Sequence, residues 1–266
     1  MTKAPLPLVP TKEMTLYQRQ RCGQRFWKET LKATNPLLKG TGWKRNSAWV
    51  FRVEGDWYLT AFVTGGTTSD GMANVLKVAM GIKPMAVDPI HWRAQGLHGN
   101  LAKPPSFRSN AAHKVPALPI AQRDLSVGLS DPQVAAGLVV AAINVLADEA
   151  RAAVADQPFS QVVMAHPRAD CWSALYWAAL IAEGRGAQAI EAIKAHYLKG
   201  EHEMPKEGRL FDMVADYQAV IDGTDSPAKR ALIANLDGIQ IVDTGSATPL
   251  APQNDRLIDK IKKLWP

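Results

Sequence analysis

Cysteine is scarce in this sequence: Cys22 and Cys171 are the only two in 266 residues. Two thiols cannot build a disulfide framework and lack the paired spacing of a zinc finger, so a reducing cytoplasm is the expected setting. A single bridge between them is left open. Long apolar runs are missing too. The longest, VAAGLVVAAINVLA from Val134 to Ala147, is shorter than the ~20 residues that cross a bilayer, and Asn144 and the following Asp148-Glu149 interrupt it. It predicts a buried helix and no membrane association. The opening MTKAPLPLVP holds three prolines and no apolar h-region, which argues against a secretory signal.

The most specific catalytic signatures are also absent. There is no G-x-S-x-G elbow and no H-E-x-x-H helix. Gly66 to Gly71 has the spacing of a phosphate loop, but Met72 and Ala73 stand where the phosphate-reaching Lys and the magnesium-binding hydroxyl belong. Gly184 to Ala189, GRGAQA, matches G-x-G-x-x-A but follows a helical pattern instead of a strand, so it reads as a helix terminator. No cofactor is called for.

What remains is an ordinary globular balance, 47% apolar and 21% charged, with charge unevenly placed. Residues 1–130 hold 18 Lys and Arg against 7 Asp and Glu, whereas residues 131–266 hold 13 against 18. A basic half suits nucleic acid or an acidic partner. It equally suits attraction between the halves, within one molecule or across a homo-oligomer.

Local patterns predict an α+β fold: an N-terminal helix, an antiparallel sheet made of a hairpin plus a further strand, and a mainly helical C-terminal layer. Apolar residues at helical spacing predict a helix over Thr15 to Thr34 that stops before Pro36. Alternation around the turn EGD predicts a hairpin, Ala48 to Val53 with Trp57 to Thr64, followed by a loop at GGTTSDG and a third strand within Ala73 to Val87. Residues 96–130, rich in proline, predict a long surface connection. A Ser130-x-x-Gln133 capping box then opens a helix to about Ala155. Further helices are expected over Asp170 to Glu183, with Asp170 as N-cap, over Gly186 to Lys199, over Arg209 to Asp222, from Ser226-Pro227, and in the basic tail RLIDKIKKLWP. This divides the chain into a basic α+β unit, 1–129, and a helical part, 130–266, packed on it.

The stretches FWKETLKATNPLLKGTGWKRNSAWVFR and GIKPMAVDPIHW resemble uncharacterised bacterial families of unknown function, in which a helix precedes a Gly-Phe/Trp-Lys-Lys/Arg turn and antiparallel strands. The resemblance covers residues 15–110. It implies a small α+β unit and supplies no catalytic residues.

Two clusters are candidates for function. TGWKRNSAWVFR gathers Trp43, Lys44, Arg45 and Arg52 at the hairpin mouth, where cations can neutralise phosphates and aromatic faces can stack on bases; strand alternation can equally send the tryptophans to the core. MAVDPIHWRAQGLHGN, residues 85–100, gathers Asp88, His91, Arg93 and His98, which with His113 could supply metal ligands. The simpler expectation there is a structural turn, with Asp88 capping backbone amides, Trp92 buried, and His91 and Arg93 bordering a groove. Together the clusters suggest a binding or interaction protein, regulatory or immunity-like, for a protein or small-molecule ligand. The alternatives are a hydrolase using Asp88, His91 and His98, with or without a metal, and a single-stranded nucleic-acid binder.

Overall fold

The computed structural model describes residues 7–110, 115–125, 129–198 and 207–224. All of these belong to one compact unit, Met1–Arg230; a second, Ala231–Pro266, lies outside the described residues, as do the helices expected at Ser226-Pro227 and in the tail.

The first helix, α1 (Leu16–Leu38), begins with a reciprocal cap: the Thr15 side chain accepts from the Gln18 amide, and the Gln18 side chain accepts from the Thr15 amide. Cys22, Phe26, Thr30 and Leu31 recur along its buried side. The helix runs through Pro36 instead of stopping before it. A proline this close to the C-terminus forfeits one hydrogen bond of the last turn, and Lys39 closes the end by donating to the Pro36 carbonyl.

Five strands form an antiparallel meander in chain order: β1 (Lys44–Asn46), β2 (Trp49–Glu54), β3 (Trp57–Thr67), β4 (Asn74–Pro84) and β5 (Leu118–Leu125). The expected hairpin is β2 and β3, turning at Gly55-Asp56 with Gly55 at a φ of +54°. Two expectations need correction. Gly65 to Thr67 continue β3 instead of opening a loop, because α1 crosses there and only glycine admits the approach: a Cβ on Gly65 would lie 2.8 Å from Trp27 Cβ, and one on Gly23 would lie 2.6 Å from the Gly66 carbonyl carbon. Residues 96–130 are not one draped connection. They hold a 3₁₀ turn (His98–Ala102), α3 (Phe107–Asn110) and the edge strand β5, where Pro119 is tolerated opposite Gly81 beside a register shift.

Helix α4 (Pro132–Val154) lies with α1 over one face of the sheet, burying Val139, Ile143 and Leu146 against Leu59, Ala61 and Met80. Its cap is Asp131, one residue later than expected; the carboxylate accepts from the Gln133 amide at 2.8 Å, with Pro132 in the first turn. α4 is the one described helix long and apolar enough to cross a membrane by length and composition, yet its buried side belongs to the core.

On the opposite sheet face, VDPIHW forms part of a helix, α2 (Val87–Ala94), and not a turn. The chain ends, within the described residues, in α5 (Phe159–Ala165), a 3₁₀ turn (Ala169–Trp172), α6 (Ser173–Ala182), α7 (Gly186–Leu198) and α8 (Glu207–Ile221). Asp170 lies inside the 3₁₀ turn and makes no side-chain cap for α6. Gly184 and Gly223, at φ of +74° and +69°, end α6 and α8 as expected.

Candidate binding groove

The outer side of α1 carries cations in a row. Arg21, Arg25, Lys28 and Lys32 follow at steps of four, three and four residues, which places them along one flank of the helix. They line an open groove of about 1220 Å³ that Arg45 of β1 and Ser47 of the β1–β2 turn complete from the other side. Glu29 is the one carboxylate in that lining, and Lys32 meets it at 2.9 Å. Arg45 is held by Asn35 Oδ1 at 2.6 Å and the Ser47 carbonyl at 2.7 Å. Arg25 and Lys28 form no ion pair among the described residues.

Aromatic groups share the groove. Tyr17 is 65% exposed, and its hydroxyl accepts from Arg21 Nη1 at 3.1 Å. Trp27, half-buried, is fixed by donating Nε1–H to the Val63 carbonyl at 3.1 Å. Gln24 adds an amide donor and acceptor, and Gln18 an amide donor, its Oε1 being taken by the Thr15 cap. The sequence shows cations between the apolar positions of this helix, but their common flank emerges only when the helix is placed on the sheet and the β1–β2 turn rises opposite it.

The residues singled out from the sequence are dispersed. Trp43 is buried, donating Nε1–H to Asn144 Oδ1 of α4, with the Arg52 guanidinium stacked 4.3 Å from its ring. Arg52 pairs with Glu54, which also holds Arg151 of α4. Thus Trp43, Arg45 and Arg52 lie on the α1 and α4 side of the sheet. Lys44, opposite Phe51 in the register, is placed on the other side, exposed. Asp88, His91, Arg93 and His98 also lie on that other side, so of these hairpin-mouth residues Lys44 shares a sheet face with them and Trp43, Arg45 and Arg52 do not.

Asp88 has no exposed surface. One carboxylate oxygen meets Lys83 Nζ at 2.7 Å and the Val115 amide at 3.2 Å; the other meets Arg108 Nη1 at 2.9 Å. Lys83 also donates to the Val115 carbonyl, and Arg108 to that of Met85. Burial pushes the neighbouring Tyr58 phenol far up, with Ser109 and Arg108 opposing the rise and the Asp88 charge adding to it. His91 faces elsewhere, its Nδ1 3.2 Å from the Tyr217 hydroxyl of α8; Arg93 is exposed, and His98 opens the 3₁₀ turn. Among the described residues no three His, Cys, Asp or Glu side chains gather as metal ligands, and His113 is outside them. Cys22 is buried and Cys171 exposed, both as free thiols. Burial raises the Cys22 thiol, with Arg25 partly offsetting it.

No protein-family model, curated protein or solved structure matches the chain, so the resemblance of residues 15–110 rests on its short motifs.

Proposed function

We propose that this is a binding protein whose ligand is a polyanion seated in the α1 groove. The observation that carries the reading is the pair Arg25 and Lys28: two cations without a carboxylate, in a concave site where cations outnumber acids five to one. Such a site draws and holds negative charge by counterion release. Among the described residues internal neutralisation does not account for them: Arg123–Glu149 joins a cation of the basic half to a carboxylate of the acidic half, and no ion pair there includes Arg25 or Lys28.

Inorganic polyphosphate titrated onto the full chain tests the reading. Binding should be strong at ~50 mM salt and fall steeply by ~200 mM. The double variant Arg25→Ala, Lys28→Ala should bind at least about tenfold more weakly with an unchanged melting temperature, since both side chains reach solvent. Absence of binding at ~50 mM salt would refute the proposal.

A further inference from the structure

We infer that the polyanion is single-stranded nucleic acid, with Tyr17 as a base-stacking residue; this rests on the groove reading above and adds recognition of bases to that of charge. The cation row is one-sided. From Arg21 to Lys32 it covers about 16 Å of helix at the α-helical rise, and the opposite side of α1 is buried on the sheet. One row along one flank can follow one phosphate backbone. A duplex keeps its bases paired and stacked, so their faces are closed to a side chain such as Tyr17, whereas a single strand leaves them open.

The rest of the lining fits what a single strand exposes beyond its phosphates. Unpaired bases offer π-faces and hydrogen-bonding edges, and proteins hold them with aromatic rings and amides beside a cationic track. Tyr17 stands at one end of the row, more exposed than any other large apolar or aromatic residue among the described residues; Arg21 donates to its hydroxyl and lies over one face of the ring, 5.9 Å from its centroid, which leaves the opposite face for a base. Gln18 and Gln24 lie along the same flank. Polyphosphate or an anionic vesicle would use the cations and leave these groups idle.

The test compares fluorescent 12-mers of DNA and of RNA with an abasic 12-mer of equal charge and a DNA duplex, and anionic phosphatidylserine vesicles serve as a further arm. A base-bearing strand should bind about five- to a hundredfold tighter than the abasic one, the span expected for stacking of a single base. The tighter of DNA and RNA names the source. Tyr17→Ala should bring the ratio of base-bearing to abasic affinity to about one, whatever it does to the absolute affinity of either strand, whereas Tyr17→Trp should retain the preference. Equal affinity for abasic and base-bearing strands would overturn the inference while leaving polyanion binding intact, and so would preference for the duplex or the vesicle. Failure of every probe, abasic strand included, would instead defeat the groove reading itself.

Discussion

Asp88 shows at the residue scale how a stretch that suggests chemistry can be spent on structure. Its carboxylate joins β4, α2, α3 and the segment at Val115, and each oxygen already has a cationic partner. Removing the charge leaves Lys83, fully buried, without its counterion. Asp88→Asn should therefore cost ~3–5 kcal/mol in urea unfolding, as for other broken buried pairs. Arg93→Ala, on the exposed side of the same helix, should stay within ~0.5 kcal/mol. A near-neutral Asp88→Asn would mean that the cluster is hydrated. Tyr58, beside it, gives a pH prediction. Its folded-state phenol titrates above the ordinary value near 10, so in alkali the unfolded chain releases a proton that the folded chain keeps. The stability contribution is intact below pH ~10 and drains as pH rises above it. Tyr58→Phe should flatten the alkaline fall of the melting temperature relative to the parent; parallel curves would discount the burial of the phenol. The thiols offer a direct count. Cys171 should react with a disulfide reagent in the native protein and Cys22 only after denaturation, because one is exposed and the other buried with a raised thiol.

Elements were legible where periodicity and caps agree, and illegible where a residue serves a neighbour. The β2–β3 hairpin, α4 and the ends of α6 and α8 follow from alternation, an N-terminal proline and glycines at positive φ. Gly65-Gly66 read as a loop because glycine is poor strand material on local grounds; its reason is α1, some forty residues upstream. β5 was hidden by Pro116 and Pro119, whose cost disappears at an edge and depends on a pairing that local sequence does not display. The candidate groove was half legible: the cations of α1 are plain, but their shared flank needed the β1–β2 turn. The crossing of α1 over β3 makes a prediction of unusual sign. An exposed helix interior gains ~0.5–1 kcal/mol from Gly→Ala, but at Gly23 the new methyl would stand 2.6 Å from backbone carbon. Gly23→Ala should be net destabilising by ~1–3 kcal/mol in urea unfolding, the range for overpacked cores. A stabilised variant would show that the helix and the strand are farther apart.

In the whole described unit, two apolar cores meet at α6. The larger draws on α1, the sheet, α4, α5 and the Leu175, Ala178 and Ala179 side of α6; the smaller holds Ala94, Trp177, Ile190, Ile193 and Tyr217. SALYWAALIA is apolar over most of its surface because it buries residues toward both cores, Leu175, Ala178 and Ala179 on one side and Trp177 on another, which is why it shows little helical periodicity. The smaller core has few members, and Tyr217 is its widest link: its ring packs edge-on to Trp177 at 6.0 Å, and its hydroxyl meets His91 of α2. Losses there should therefore be felt locally. Truncating a large buried aromatic costs ~3–5 kcal/mol, and elements with few buried contacts open below the global free energy. For Tyr217→Ala, hydrogen exchange should accelerate at least tenfold in α7 and the described part of α8 while the β3–β4 amides, paired over eleven residues in the register between the two strands, keep their protection. Ile143→Ala, in the larger core, should speed exchange in the sheet and in α7 together, because α6, on which α7 packs, is itself seated in that core. If Tyr217→Ala loosens β3 and β4 as much as α7, the two cores unfold as one, and α6 is then a rigid coupler between them instead of a seam at which they part.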